Sequence, residues 1–137
     1  MHRTLEGRRV DNASLKGEVV VLNFWFTTCG PCIGEMTELN GLVRDFGDRV
    51  RFLAFTHEPP EMVRMFLGNH EFDYEIVPNA RETEKSFGIG SHPTHVLLDR
   101  EGKVRWQGLG ANPDNLKRLR ATIQRALTIG DTHVVRP

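Results

Sequence analysis

An almost unbroken apolar run, Val19-Val20-Val21-Leu22-Asn23-Phe24-Trp25-Phe26, stands just ahead of the chain's only two cysteines, Cys29 and Cys32. The run is rich in β-branched and aromatic residues and does not alternate with polar ones. That is the pattern of a central strand covered on both faces. Behind the cysteines, Cys32, Met36, Leu39, Val43 and Phe46 recur at spacings of four, three, four and three. They predict the buried stripe of a helix that begins at Pro31 and ends at Gly47-Asp48. Proline suits the first helical position because its missing N–H has no partner to lose there. Strand, tight loop and helix start thus put a thiol at a helix N-terminus. Free N–H groups and the helix dipole favour an anion at that point. A thiolate is stabilised, and its pKa falls below the roughly 8.5 of a free cysteine. Cys32 lies on the stripe and should be less exposed than Cys29. The chemistry suggested is dithiol–disulfide exchange. Structural cross-linking is the weaker reading, because a bridge between such close cysteines constrains little of the unfolded chain.

With 137 residues, the chain is most simply one domain, 1–137, with a core over about 5–127. Its 18 basic and 18 acidic residues balance to a formal charge of zero, which gives no electrostatic case for nucleic acid or for a membrane surface. No apolar run reaches the roughly 18 residues of a membrane span. The start, Met1-His2-Arg3-Thr4, lacks the apolar core of a signal peptide. A cytosolic protein and an exported domain lacking its leader both fit.

Gly7 predicts a small N-terminal hairpin within Thr4 to Asp11, and Ser14 to Gly17 a turn. Val50 to Phe55 reads as a second strand beside the first, joined by a right-handed crossover. Helices are expected at about Glu61 to Asn69, with Met62, Met65 and Phe66 as the apolar face, and at Arg81 to Phe87. Tyr74 to Pro78 is a short strand. Thr94 to Leu98 and Lys103 to Gln107 form a hairpin around Asp99-Arg100-Glu101-Gly102. Asn112 and Pro113 open a last helix striped by Leu116, Leu119, Ile123 and Leu127, and the tail from Gly130 to Pro137 is expected to be loose. The order is βαβα, then a hairpin, then α. It implies an α/β fold with a central mixed sheet and helices on both faces.

Trp25, Cys29-Gly30-Pro31-Cys32, Ser91-His92-Pro93-Thr94 before a strand, and Asp99-Arg100-Glu101-Gly102-Lys103-Val104 occur in that order. With them the chain resembles the thioredoxin superfamily, and within it the TlpA/ResA-like thiol–disulfide oxidoreductases. Leu5 to Val10, Leu15 to Val20, Asn23-Phe24-Trp25 and Glu35-Met36 extend the likeness from about Leu5 to Leu127. The resemblance implies a thioredoxin-like fold with Cys29 as nucleophile, Cys32 as resolving cysteine and Pro93 as a cis-proline. The backbone at His92 would pair with an incoming peptide, and Gly30 and Pro31 would tune the pair; Trp25 either packs in the core or covers the thiols and shapes docking. Cytosolic thioredoxins usually carry a buried aspartate on the strand before the motif. Here Asn23 stands in its place, and Glu58, after the next strand, is expected to move protons for Cys32. Glu35 reads as an acid on an exposed face, and His95 as a packed or edge residue.

His92 departs from the aliphatic residue or threonine usual before the cis-proline. Unperturbed, an imidazole titrates near pH 6.5; protonated, His92 would stabilise a Cys29 thiolate and make the disulfide more oxidising. No cofactor is expected beyond the Cys29–Cys32 disulfide, and no resident metal. The implied partners are protein thiols and disulfides, with a membrane-embedded thiol reductase as electron donor. The chain is expected to be a monomer that works outside the cytoplasm. The main rival is a copper- or zinc-binding module using Cys29, Cys32 and His92. A thiol peroxidase is disfavoured because Phe26, not threonine, stands three residues before Cys29. A non-catalytic interaction domain leaves the paired thiols unexplained.

Overall fold

The computed structural model describes residues 2–135. A five-stranded sheet forms its centre, in the order β5-β4-β3-β6-β7. The apolar run supplies β3, Val19–Phe24, every residue of which is buried. Strand β4, Val50–Phe55, lies parallel to it, with Val19 opposite Val50 and Phe24 opposite Phe55. Strand β6, Thr94–Leu98, flanks β3 antiparallel on the other side and pairs Asn23 with His95. Strands β5, Glu75–Val77, and β7, Val104–Leu109, close the two edges. The sheet is thus mixed, as the element order predicts.

The N-terminal hairpin is also present: β1, His2–Arg3, lies before the expected stretch and β2, Arg9–Val10, lies within it. Arg51 of β4 fastens it. Its buried guanidinium donates to both Glu75 oxygens, at 2.9 and 3.2 Å, and to the Arg9 carbonyl at 3.4 Å.

Two apolar layers cover the sheet. One joins Val19, Val21 and Trp25 to the helices α3, Met36–Phe46, α4, Pro60–Leu67, and α6, Pro113–Val135. The other lies under α1, Asn12–Leu15, and the residues that follow α5, Arg81–Ser86. Several expectations are corrected. Strand β3 stops at Phe24, although the Trp25 N–H still donates to the Phe55 carbonyl. The helix expected from Pro31 is two helices, α2, Gly30–Gly34, and α3, separated at Glu35. Leu42, not Val43, completes the buried face of α3. In α4 the buried residues are Val63 and Phe66, whereas Met62 and Met65 face outward. The segment from Gly130 continues α6 as far as Val135, since one glycine costs only about 1 kcal/mol within a helix. Arg136 and Pro137 lie outside the described residues.

Candidate active site

The β3 strand ends against β6, and the chain turns through Phe26-Thr27-Thr28 into α2. The Cys29 N–H donates to the Phe26 carbonyl, which closes the turn. Cys29 then occupies the cap position of α2, and its Sγ accepts the Cys32 N–H at 3.2 Å. A sulfur held there sees a peptide N–H aimed at it, which favours negative charge. Because the helix breaks at Glu35, this local donor matters more than a long helix dipole. Cys29 and Cys32 are joined by a disulfide with an S–S distance of 2.06 Å. Cys29 is 4% exposed and Cys32 1%, so the expected order holds, but only a sliver of the nucleophile is open in the disulfide state. Gly30, Pro31 and Thr28 form the exposed rim around it.

Trp25 is fully buried, as its core-packing alternative has it. Its ring packs against Phe66 and Phe72 at centroid distances of 5.3 and 5.2 Å. Phe26 is the aromatic at the rim. It lies between the rings of His57 and His92, at 6.1 and 5.1 Å. The His92 Nε2 bonds Glu84 Oε1, and the other Glu84 oxygen is 3.6 Å from His57 Nδ1. One carboxylate from α5 therefore bridges two histidines beside the motif, a grouping in which the sequence analysis gave Glu84 and His57 no part. The His92–Pro93 peptide is cis, and Pro93 is buried.

Glu58 is held at both carboxylate oxygens by Thr27 and Thr56. Its Oε1 accepts the Thr27 N–H at 2.9 Å and the Thr56 hydroxyl at 2.8 Å, and its Oε2 accepts the Thr27 hydroxyl at 2.7 Å. Three donors thus occupy both oxygens of one carboxylate. The backbone locks it further, since the Asn79 N–H donates to the Glu58 carbonyl. Glu58 thus anchors the loop that leads into Cys29.

Glu35 does not lie on an exposed face, contrary to its expected position. It sits where α2 meets α3, three residues after Cys32 and so on the same side of the chain's helical path. It is 4% exposed. Its Oε2 bonds His95 Nε2 at 2.9 Å, and its Oε1 has no partner among the described residues. His95, on central strand β6, is fully buried. The Tyr74 hydroxyl is held well above its usual range, first by burial and then by the charge of Glu35. A legible signal existed: a position three after a buried cysteine borders the same apolar stripe.

For the metal-binding alternative, both sulfurs are committed to each other and the His92 Nε2 to Glu84. Among the described residues, no group of three or more His, Cys, Asp or Glu is placed to hold a metal ion.

A family model described as Redoxin matches residues 2–123. The thiol-disulfide oxidoreductase ResA of Bacillus anthracis is 31% identical over 109 residues, covering 77% of this chain and 63% of that relative. The thioredoxin-like protein YneN of Bacillus subtilis is 28% identical over 107 residues, covering 75% and 63%. The chain thus spans 63% of the length of these curated relatives. The crystal structure of a protein from Chlorobium tepidum assigned as the thiol:disulfide interchange protein DsbE superimposes with a TM-score of 0.83 at 26% identity, covering 92% of this chain and 91% of that one.

Proposed function

Because this chain belongs to the redoxin family, we propose that it is a thiol–disulfide oxidoreductase that reduces disulfides of partner proteins through Cys29 and Cys32. One observation carries the reading: the two cysteines form a disulfide at a strand-to-helix turn, with the Cys29 sulfur receiving the Cys32 N–H. In the reduced form, the Cys29 thiolate attacks one sulfur of a partner disulfide. A mixed disulfide forms and the partner's other sulfur leaves as a thiolate. Cys32 then loses its proton to Glu35 and attacks the Cys29 sulfur. The Cys29–Cys32 bond forms, the bond to the partner breaks, and the electron pair leaves on the partner sulfur. Two electrons have passed to the partner, whose thiolates take protons from water.

Phe26, His57 and the Glu84-held His92 form the surface a partner meets, together with Pro93 and the rim residues Gly30 and Pro31. The resemblance to ResA supports work outside the cytoplasm, as a single domain and a monomer, with electrons supplied by a membrane-embedded thiol reductase. No helix among the described residues is itself long and apolar enough to cross a membrane.

The test is equilibration of the purified protein with glutathione buffers, combined with trapping. Cys29→Ser should abolish disulfide reduction, and Cys32→Ser should accumulate a mixed disulfide with the partner. A reduction potential near the roughly −270 mV of thioredoxin supports the reductant role; a value near about −120 mV reverses the direction to oxidant. Failure of Cys32→Ser to trap any partner would overturn the exchange mechanism.

A further inference from the structure

Five core side chains carry buried polar atoms that no group among the described residues satisfies: Glu35 Oε1, His95 Nδ1, the Tyr74 hydroxyl, Trp25 Nε1 and both ends of the Asn23 amide. Folded interiors leave few such atoms. Here they gather in one place. Glu35 and His95 are bonded directly. Asn23 and His95 are cross-strand partners, so their side chains share a face of the sheet. The charge of Glu35 reaches the Tyr74 hydroxyl. Trp25 follows Asn23 on the same side of the chain and packs on Phe72, which stacks on Tyr74. Trp25, Tyr74, Cys29 and Cys32 belong to one apolar layer.

Resting on the assignment of Glu35 as acceptor of the Cys32 proton, we propose that His95 is a positioning residue that makes Glu35 able to accept it. An isolated buried carboxylate is not tolerated in such surroundings; it becomes neutral, and a neutral acid accepts no proton. His95 prevents this. With Glu35 ionised, the bond requires the Nε2–H tautomer, so His95 donates to Oε2. That leaves Oε1 and His95 Nδ1 as two unpartnered acceptors. Before resolution the pair carries one net negative charge. When Cys32 gives up its proton, the pair binds it and becomes neutral, either as acid and imidazole or as carboxylate and imidazolium. Sulfur chemistry is unchanged: Cys32 bonds to Cys29 and the partner sulfur leaves with its electron pair. The groups around the pair are Tyr74, which feels the charge of Glu35, and the non-titrating Asn23, the cross-strand partner of His95; Trp25, Cys29 and Cys32 share the apolar layer that holds Tyr74. Full burial of His95 means that the pair exchanges protons with this cluster rather than with open water.

The reaction of the reduced protein with Ellman's reagent separates the two sulfur steps, because the first coloured thiolate reports attack by Cys29 and the second reports resolution by Cys32. His95→Gln retains a donor to Glu35 but holds no proton. It should leave the first step unchanged, slow the second by about tenfold or more, and move the pH profile of the second step. An unchanged second step with an unchanged pH profile overturns the role of His95. If Glu35→Gln also leaves resolution unchanged, the assignment of Glu35 fails instead; if Glu35→Gln slows it and His95→Gln does not, only the present inference fails. Absence of both steps in the native protein would reject thiol exchange itself. Should His95→Gln not fold, the native protein decides. The ring-nitrogen resonances of His95 should follow different pH courses in the oxidised and reduced forms, and superimposable courses overturn the proposal.

Discussion

Glu58 grips Thr27 at two points, the backbone N–H at 2.9 Å and the side-chain hydroxyl at 2.7 Å, two residues before Cys29. Both partners lie on loops, and β3 and β4 bring the loops together because their last residues, Phe24 and Phe55, are paired. The geometry of the motif thus depends on a carboxylate that never needs to touch sulfur.

Glu58→Gln replaces one acceptor oxygen by a donor, which then faces a donor of Thr27 or Thr56. Hydrogen bonds to a charged group contribute about 1.5–3 kcal/mol each, and an unsatisfied buried donor costs about 1–3 kcal/mol. We expect a loss of about 2 kcal/mol in denaturant unfolding. The pH profile of Cys32 resolution should not move, because both Glu58 oxygens are committed to Thr27 and Thr56. A shifted profile would restore Glu58 to proton transfer.

His92→Thr removes an imidazole that touches Phe26 and leaves Glu84 without its nearer histidine. When His92 is protonated, its loss makes the local field at Cys29 more negative. Its thiolate should be less stable and the disulfide less oxidising. Equilibration with glutathione should show a reduction potential lower by more than about 10 mV, or roughly 0.5 kcal/mol for two electrons. A smaller change would mean that Glu84 already cancels the charge of His92.

Gly108 of β7 lies under the indole of Trp106. A Cβ added there would stand 2.3 Å from the ring atom Cη2, inside any real contact distance. The rigid ring must swing away or the strand must shift. Gly108→Ala should therefore destabilise the fold by about 1–3 kcal/mol, the usual cost of overpacking. Thermal unfolding checks this, and Gly108→Ala with Trp106→Leu should recover part of the loss.

The turn between β6 and β7 supplies a pH-dependent contribution. Burial raises the Asp99 carboxyl, but the Lys103 and Glu101 N–H groups and the Arg105 guanidinium lower it further, and the net shift is downward. A folded-state value below the unfolded one stabilises the protein at neutral pH, and that stability is lost as pH falls through the folded value. Asp99→Asn should therefore narrow the difference in melting temperature between neutral pH and pH about 3. An equal acid-induced fall in both proteins would show that Asp99 contributes nothing to it.

Much of the architecture was legible because burial leaves a periodic trace. Val19 to Phe24 reads as a doubly covered strand, and β4 matches its expected limits, since a sheet buried on both faces demands continuous apolar segments. The disulfide pair and its turn were legible from two cysteines three apart behind that strand. The ends of elements were less so. The break at Glu35 interrupts an apolar stripe that runs unbroken from Cys32 to Phe46, so periodicity alone joined two helices into one.

By itself, then, the sequence determined the strand, the thiols and the order of elements, because those depend on residues close along the chain. Only the tertiary structure decided what each of two acids meets. From the sequence, Glu58 reads as the acid that moves protons for Cys32 and Glu35 as an acid on an exposed face. Glu35 meets His95, 60 positions away, and keeps a free oxygen, while Glu58 meets Thr27, 31 positions away, and has none to spare. A carboxylate's task is set by desolvation and by the donors that surround it, and those arrive from distant strands only when the sheet has formed.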